Sequence, residues 1–387
     1  MIYLFPIIIF TLLSCARSPL RRVEDSMRPT HTHVQLSDSL SPESFFATLK
    51  KHIAVMKISD QVKDPMIFGE RKILKEKYIN SLEKILDHQS DWLDWISKNY
   101  EFYEVFGREE WGSVMSTGYY GPIINGSLIA TSHFTQPLYK TPTDLITIKL
   151  KNFSDQLMIV NQSSSLVGRI TDQVFSPYFD RKQIDSDHML KNKNLELVWV
   201  TPIDSFFIQI QGSGIIEIET GERIHIGYDS QNGHPYEAIG KHLTNIIPLE
   251  KMTLQKIKSH LESLPQAEQQ KIFNINPSYV FFKKIKNEAL TYAGMEVSEG
   301  RSIATDLKYF PKGALAFLDI KEPIFDPAHG EDPQSWIDRP RLVFDQDTGG
   351  AIKGTGRVDL YFGQGDQAAQ KAGVMKQNGR LYYLLPK

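Results

Sequence analysis

From residue 42 onward, apolar positions recur at helical spacing. Ser41-Pro42-Glu43 sets a capping hydroxyl before a proline suited to the first helical turn, and Phe45, Leu49 and Ile53 follow on one face, which predicts an amphipathic helix. The same texture runs to about residue 106, where Leu82, Ile85, Leu86, Trp92 and Trp95 form a second stripe that reads as core-facing. After Gly107 the period shortens to that of strands and turns. Within a strand-rich block at 122–274, the clearest stretch is 205–228. Phe206, Ile208 and Ile210 alternate with Phe207, Gln209 and Gln211, which predicts a strand carrying both glutamines on one face. Gly212-Ser213-Gly214 then turns the chain. Ile216 and Ile218 continue a second strand, and Ile224, Ile226 and Tyr228 a third, so an antiparallel meander is expected. Helices are expected at 235–245 and 253–264, the second stopped by Pro265. Short alternating runs at 279–283, 314–320, 341–344, 358–362 and 381–385, joined by glycine-rich turns, argue for a small β-barrel. The expected fold class is mainly β with flanking helices.

At 387 residues the chain has room for two domains, and its 41% hydrophobic and 23% charged residues are those of a globular protein. A formal charge of -2 with scattered Lys and Arg lacks the basic footprint of a nucleic-acid binder. The first fourteen residues carry no charge and are mostly Ile, Leu and Phe, too short to span a bilayer but of the length of a signal-peptide core. Cys15 is the only cysteine, so no internal disulfide can form, and the bland alternative is a buried apolar thiol. Leu12-Leu13-Ser14-Cys15-Ala16 resembles the lipobox of bacterial lipoproteins. That resemblance implies a signal peptide over 1–15, lipidation of Cys15, a polar tether over 16–41, and, from Ala16, an outer-membrane lipoprotein facing the periplasm of a Gram-negative cell.

Candidate chemistry concentrates in residues 345–365, DQDTGGAIKGTGRVDLYFGQG. A strand there puts Val358, Leu360 and Phe362 on one face and Arg357, Asp359 and Tyr361 on the other. A carboxyl held by a buried strand beside aromatic surface is suited to general-acid work through desolvation. The same pattern also fits an exposed aspartate or one paired with Arg357. Gly363-Gln364-Gly365 formally opens a dinucleotide fingerprint, but too little chain follows for a nucleotide-binding unit, and it reads as a turn into a short helix. The eleven histidines include no HExxH pair, and neither a metal nor another cofactor is expected.

Five ordered motifs resemble the membrane-bound lytic murein transglycosylase A family: Thr117-Gly118-Tyr119-Tyr120-Gly121-Pro122; Ile208-Gln209-Ile210-Gln211-Gly212-Ser213-Gly214; Asn232-Gly233-His234-Pro235-Tyr236; Asn276-Pro277-Ser278-Tyr279; and Asp347-Thr348-Gly349-Gly350-Ala351-Ile352-Lys353-Gly354 with Asp359-Leu360-Tyr361. Gly121, where Thr is usual, and the longer spacing before Asp359 depart from the pattern. The resemblance implies a double-psi β-barrel catalytic domain from 42–121 and 275–387, with an inserted second β-barrel-like domain at 122–274 and a groove for a glycan strand. It implies that Asp359 is the catalytic acid and base, with Asp347 and Asp306 supporting it. Thr117, Tyr119, Gln209, Gln211, Ser213 and Lys353 would contact substrate, although the tyrosines also fit a core and Gly212 to Gly214 a plain turn. The implied partners are peptidoglycan glycan strands and, through the lipid, a membrane. A hydrolytic muramidase and a non-catalytic wall-binding module are the alternatives.

Overall fold

A computed structural model of the protein describes residues 20, 22–153, 165–286, 290–326 and 332–387. Cys15 and the signal-peptide expectation over 1–15 lie outside the described residues.

The first helix is Pro42–Ile58, where the Ser41 hydroxyl accepts from Ser44 N. It buries Phe45, Leu49, Ile53 and Met56, and Phe45 stacks on Trp92 at 4.4 Å between ring centroids. Helices Lys75–Leu86 and Trp92–Asn99 complete the helical layer. These elements cover a barrel.

Six strands close that barrel: Ser113–Gly121, Ser302–Ala304, Ala314–Asp319, Arg341–Asp347, Arg357–Gln364 and Lys376–Pro386. Ser113–Gly121 pairs with both Arg357–Gln364 and Lys376–Pro386, and the ring closes through Ala314–Asp319, Arg341–Asp347 and Ser302–Ala304. Val343, Leu315, Val358, Leu360 and Leu384 are fully buried in its core. Helix Gly365–Val374 packs so closely on the first barrel strand that a Cβ on Gly118 would lie 2.8 Å from Ala372 Cα. Only glycine fits there.

Between the first and second barrel strands runs a second β-region of separate sheets. Its largest has four strands, Ile123–Gly126, Ser213–Ile218, Arg223–Gln231 and Val280–Lys284, around Ile208, Ile216, Ile226 and Phe282.

Four expectations need correction. The run expected at 279–283 is the strand Val280–Lys284, but it pairs with Arg223–Gln231 in the second β-region and not in the barrel, so that region runs past residue 274. The strand foreseen through Gln211 is the helix Pro202–Gln211. Thr201 caps it, Pro202 occupies its first turn, and Gly212 ends it in the left-handed region at φ 80. Ile203, Phe206, Phe207 and Ile208 are buried all round it, and a helix with so little polar face leaves no 3.6-residue stripe for periodicity to find. The helix foreseen at 235–245 reduces to one 3-10 turn, Ile239–His242, because Pro235 and Gly240 interrupt the segment. The described part of the expected tether is not free. Met27–Pro29 pairs with the strand Tyr100–Val105, and the buried Asp38 carboxylate bonds Arg301 at 2.5 Å and Leu342 N at 2.8 Å. A buried charge in this position needs such partners, so residues 26–41 belong to the folded body.

Candidate active site

Strand register assembles the site. Asp359 stands opposite Thr117 on one side and Ala304 on the other; Asp347 is Ala304's second partner, and Lys376 pairs with Thr117. Cross-strand partners share a face, so Lys376, Thr117, Asp359, Ala304 and Asp347 form one row. Two strand spacings separate the aspartates, roughly 10 Å between their Cα atoms.

A β-bulge puts Asp347 in that row. Ile303 pairs with Asp345 and Ala304 with Asp347, which leaves Gln346 as the extra residue. Regular pairing would set Gln346 opposite Ala304 and turn Asp347 away. Asp345 remains fully buried, accepting hydrogen bonds from Lys312 at 2.7 Å, Thr305 at 2.6 Å and Tyr383. The bulge itself is pinned. Gln346 accepts from Ser302 at 2.5 Å and donates to His52 Nδ1 at 2.8 Å.

The two carboxyls are held differently. Asp359, whose side chain is 13% exposed, accepts the Thr117 hydroxyl on Oδ1; Arg357 donates Nε to Oδ1 at 3.1 Å and Nη2 to Oδ2 at 3.4 Å. The pairing with Arg357 that the strand spacing left open is thus present. Asp347 Oδ1 accepts from Tyr292 N at 3.0 Å and Thr348 N at 2.9 Å. Burial pushes the Asp347 carboxyl above the usual carboxylate range, opposed by those two donors and by the Lys312 charge. The Tyr119 hydroxyl is buried and makes no hydrogen bond of regular geometry, and its ring lies 5.1 Å from that of Tyr361. Burial, then the charges of Asp347 and Asp359, push this phenol well above its ordinary pKa, so it stays a proton-bearing donor within electrostatic reach of both.

Asp306 lies under the neighbouring loop, where Oδ2 accepts from Gly354 N at 2.7 Å and Oδ1 from Lys308 N at 3.0 Å. It shapes the loop that carries Lys353 and makes no bond to Asp359. Lys353 is exposed. Gln211 accepts from Tyr120 N at 3.2 Å, tying the end of its helix to the barrel strand, and half-buried Ser213 opens the next strand.

Gln209 is a correction. It is 5% exposed and accepts from the buried Arg181 at 2.9 Å and from Val280 N at 3.2 Å, so it braces the second β-region and does not face a groove. Residues two apart on an α-helix point about 200° away from each other, which separates it from Gln211. The site also includes residues not singled out from the sequence as functional. Arg357 shares Asp359's face by its spacing of two. Tyr236, far off in the chain, comes close enough that Arg357 and Arg181 oppose the upward push of burial on its phenol, and no local pattern announces this. Among the described residues no cluster of three His, Cys, Asp or Glu side chains could hold a metal ion.

Comparison with known proteins agrees with this architecture. Residues 115–283 match the MltA specific insert domain and residues 301–385 the 3D domain. The chain is 27% identical over 286 residues to the membrane-bound lytic murein transglycosylase A of Escherichia coli strain K12, covering 73% of this chain and 68% of that protein. It is 25% identical to the Vibrio cholerae protein of the same name, over 96% and 91% of the two. MltA from Neisseria gonorrhoeae in its monoclinic form superposes with a TM-score of 0.69 at 26% identity, covering 89% of this chain and 88% of that one. E. coli MltA with bound chitohexaose, at 22% identity and 95% and 97% coverage, shares the fold with a TM-score of 0.68. With a closed six-stranded double-psi barrel, an insert between its first two strands and both sequence domains in order, this chain belongs to the membrane-bound lytic murein transglycosylase A family.

Proposed function

We propose that the chain cleaves the β-1,4 bond between N-acetylmuramic acid and N-acetylglucosamine in peptidoglycan without water, with Asp359 as acid and base. The observation that carries this reading is the mounting of Asp359. A barrel strand holds it, and the Thr117 hydroxyl and the Arg357 guanidinium fix it. The protonated carboxyl gives its proton to the glycosidic oxygen as the bond to the muramoyl C1 breaks and an oxocarbenium-like centre forms. The carboxylate then takes the proton of the muramoyl C6 hydroxyl, whose oxygen bonds to C1 and closes a 1,6-anhydro ring. No water is consumed. Gln211, Ser213 and Lys353 line the approach, where amides, hydroxyls and a cation suit N-acetyl groups and carboxylates. No described helix is long and apolar enough to cross a membrane, and lipidation at Cys15 would anchor the enzyme to the outer membrane.

A second reading, hydrolysis by two carboxylates, rests on Asp347 sharing the row with Asp359. Mass spectrometry of digested peptidoglycan separates the two. Non-hydrolytic cleavage leaves 1,6-anhydromuramoyl ends one water lighter than reducing ends. Asp359→Asn should lower turnover by at least about a hundredfold, the usual scale for a lost general acid, with folding and glycan binding retained. Asp347→Asn keeps an oxygen to accept from Tyr292 N and Thr348 N, so it should fold and lose less activity. Reducing ends as the main product, with Asp347→Asn the inactive variant, would establish the hydrolase instead.

A further inference from the structure

Nothing intrinsic to an aspartate fixes the plane of its carboxyl, because the torsion to an sp² carbon is broad. At Asp359 the plane is set from outside. Arg357 spends all three nitrogens on the surroundings of this group: Nε and Nη2 lie along the two carboxylate oxygens, Nη2 also donates to Thr117 Oγ1 at 3.3 Å, and Nη1 donates to Ala351 O at 3.0 Å. The last bond belongs to the loop between Asp347 and Arg357, which also carries Lys353 and is held at Gly354 by Asp306. From the second β-region, Tyr236 comes within electrostatic reach of the same guanidinium. A planar fork is suited to holding a carboxylate in one orientation while keeping a third contact.

We propose that Arg357 is a positioning residue for Asp359: its guanidinium fixes the carboxyl plane so that one oxygen addresses the glycosidic bond, and through Ala351 it couples that orientation to the loop bearing Lys353. This inference rests on the reading of Asp359 as the acid and base. Arg357 acts through Asp359 and Thr117, so its role belongs to the chemical step and not to the hold on the glycan. Misplacing a reacting group by about 1 Å costs up to roughly a hundredfold in rate.

The test compares Arg357→Gln, Arg357→Lys and Asp359→Asn in the full chain, reading kcat and KM on peptidoglycan strands, affinity for chitohexaose, and thermal unfolding. Arg357→Gln should lower kcat by about ten- to a hundredfold while KM and chitohexaose affinity stay within about threefold, the pattern of an interaction that matters in the transition state. Arg357→Lys keeps the charge but its single ammonium cannot span both oxygens and Ala351, so its kcat should fall between the parent and the Gln variant. If Arg357→Gln does not fold, Arg357→Lys decides alone. Parental kcat in either folded variant, or a loss expressed wholly in KM, overturns the positioning role. If Asp359→Asn retains turnover, the reading of the acid fails first, and the two failures are thereby told apart.

Discussion

Gln209 and Gln211 stand two residues apart and serve different parts of the protein. Gln209 accepts from Arg181, whose guanidinium is buried among Phe206 and Tyr279 and also donates to the carbonyls of Asn276 and Ser278. Removing one acceptor from a buried cation leaves a donor without a partner, which costs about 1–3 kcal/mol. Gln209→Ala should therefore unfold at lower urea concentration by about that free energy while the folded enzyme keeps its KM; an unchanged midpoint with a raised KM would return Gln209 to the groove. His52 offers a second residue-level test. It is fully buried, its Nε2 lies 3.0 Å from Gly313 O, and its Nδ1 accepts from Gln346. Burial pushes its pKa down from 6.5 to about 4. The folded state thus resists a proton that the unfolded chain accepts. The stability this contributes is complete above pH 6.5 and is lost as pH falls through about 4, up to about 3 kcal/mol in all. Asp185 works in the opposite sense, because burial pushes its carboxyl up to about 6, so the folded state gains stability as pH falls through that value. The measurable quantity is the difference: between pH 7 and 4, urea denaturation should show the parent losing more stability than His52→Gln. Parallel curves would remove His52 from the pH response.

Among the elements, the helix Pro202–Gln211 shows how local signals compete. Thr201-Pro202 is a helix start of the same kind as Ser41-Pro42, which correctly marked the first helix; at residue 201 a run of alternating large apolar side chains outweighed it. Alternation within a wholly buried segment cannot separate strand from helix, and the caps carry the information. Gly212 is the stop. At φ 80 with open space around its missing Cβ, it is needed for backbone conformation and not for room. Gly212→Ala should destabilise by about 1–2 kcal/mol, and Gly212→Asn by less, since asparagine tolerates the left-handed region better. Equal melting temperatures for parent and Gly212→Ala would show that the turn relaxes. The bulge at Gln346 was not legible. The pairing partners that define it, Ile303 and Ala304, lie more than forty residues away.

At the scale of the whole molecule, the ordered body begins well before the first long helix, since Met27–Pro29 joins the sheet and Asp38 is locked to Arg301. If Cys15 carries the lipid, few residues separate it from the folded body, and the enzyme works close to the membrane surface. Cys15→Ala, expressed in a Gram-negative host, should move the protein from the membrane to the soluble fraction with turnover on isolated peptidoglycan unchanged. Membrane partitioning that survives the substitution would mean another means of attachment.

Residue order alone determined the mainly β class, the first helix, the positions of most barrel strands and the face on which Asp359 stands. Each depends on side-chain period or on capping within a few residues. Tertiary structure decided which strands are neighbours. That pairing set Thr117 and Ala304 beside Asp359, turned Asp347 into the same row through the bulge, and sent Gln209 into the core. The physical reason is the length of chain between the partners. Thr117 and Asp359 are 242 positions apart, and their contact is fixed by barrel closure and burial, neither of which leaves a mark in a local window of sequence.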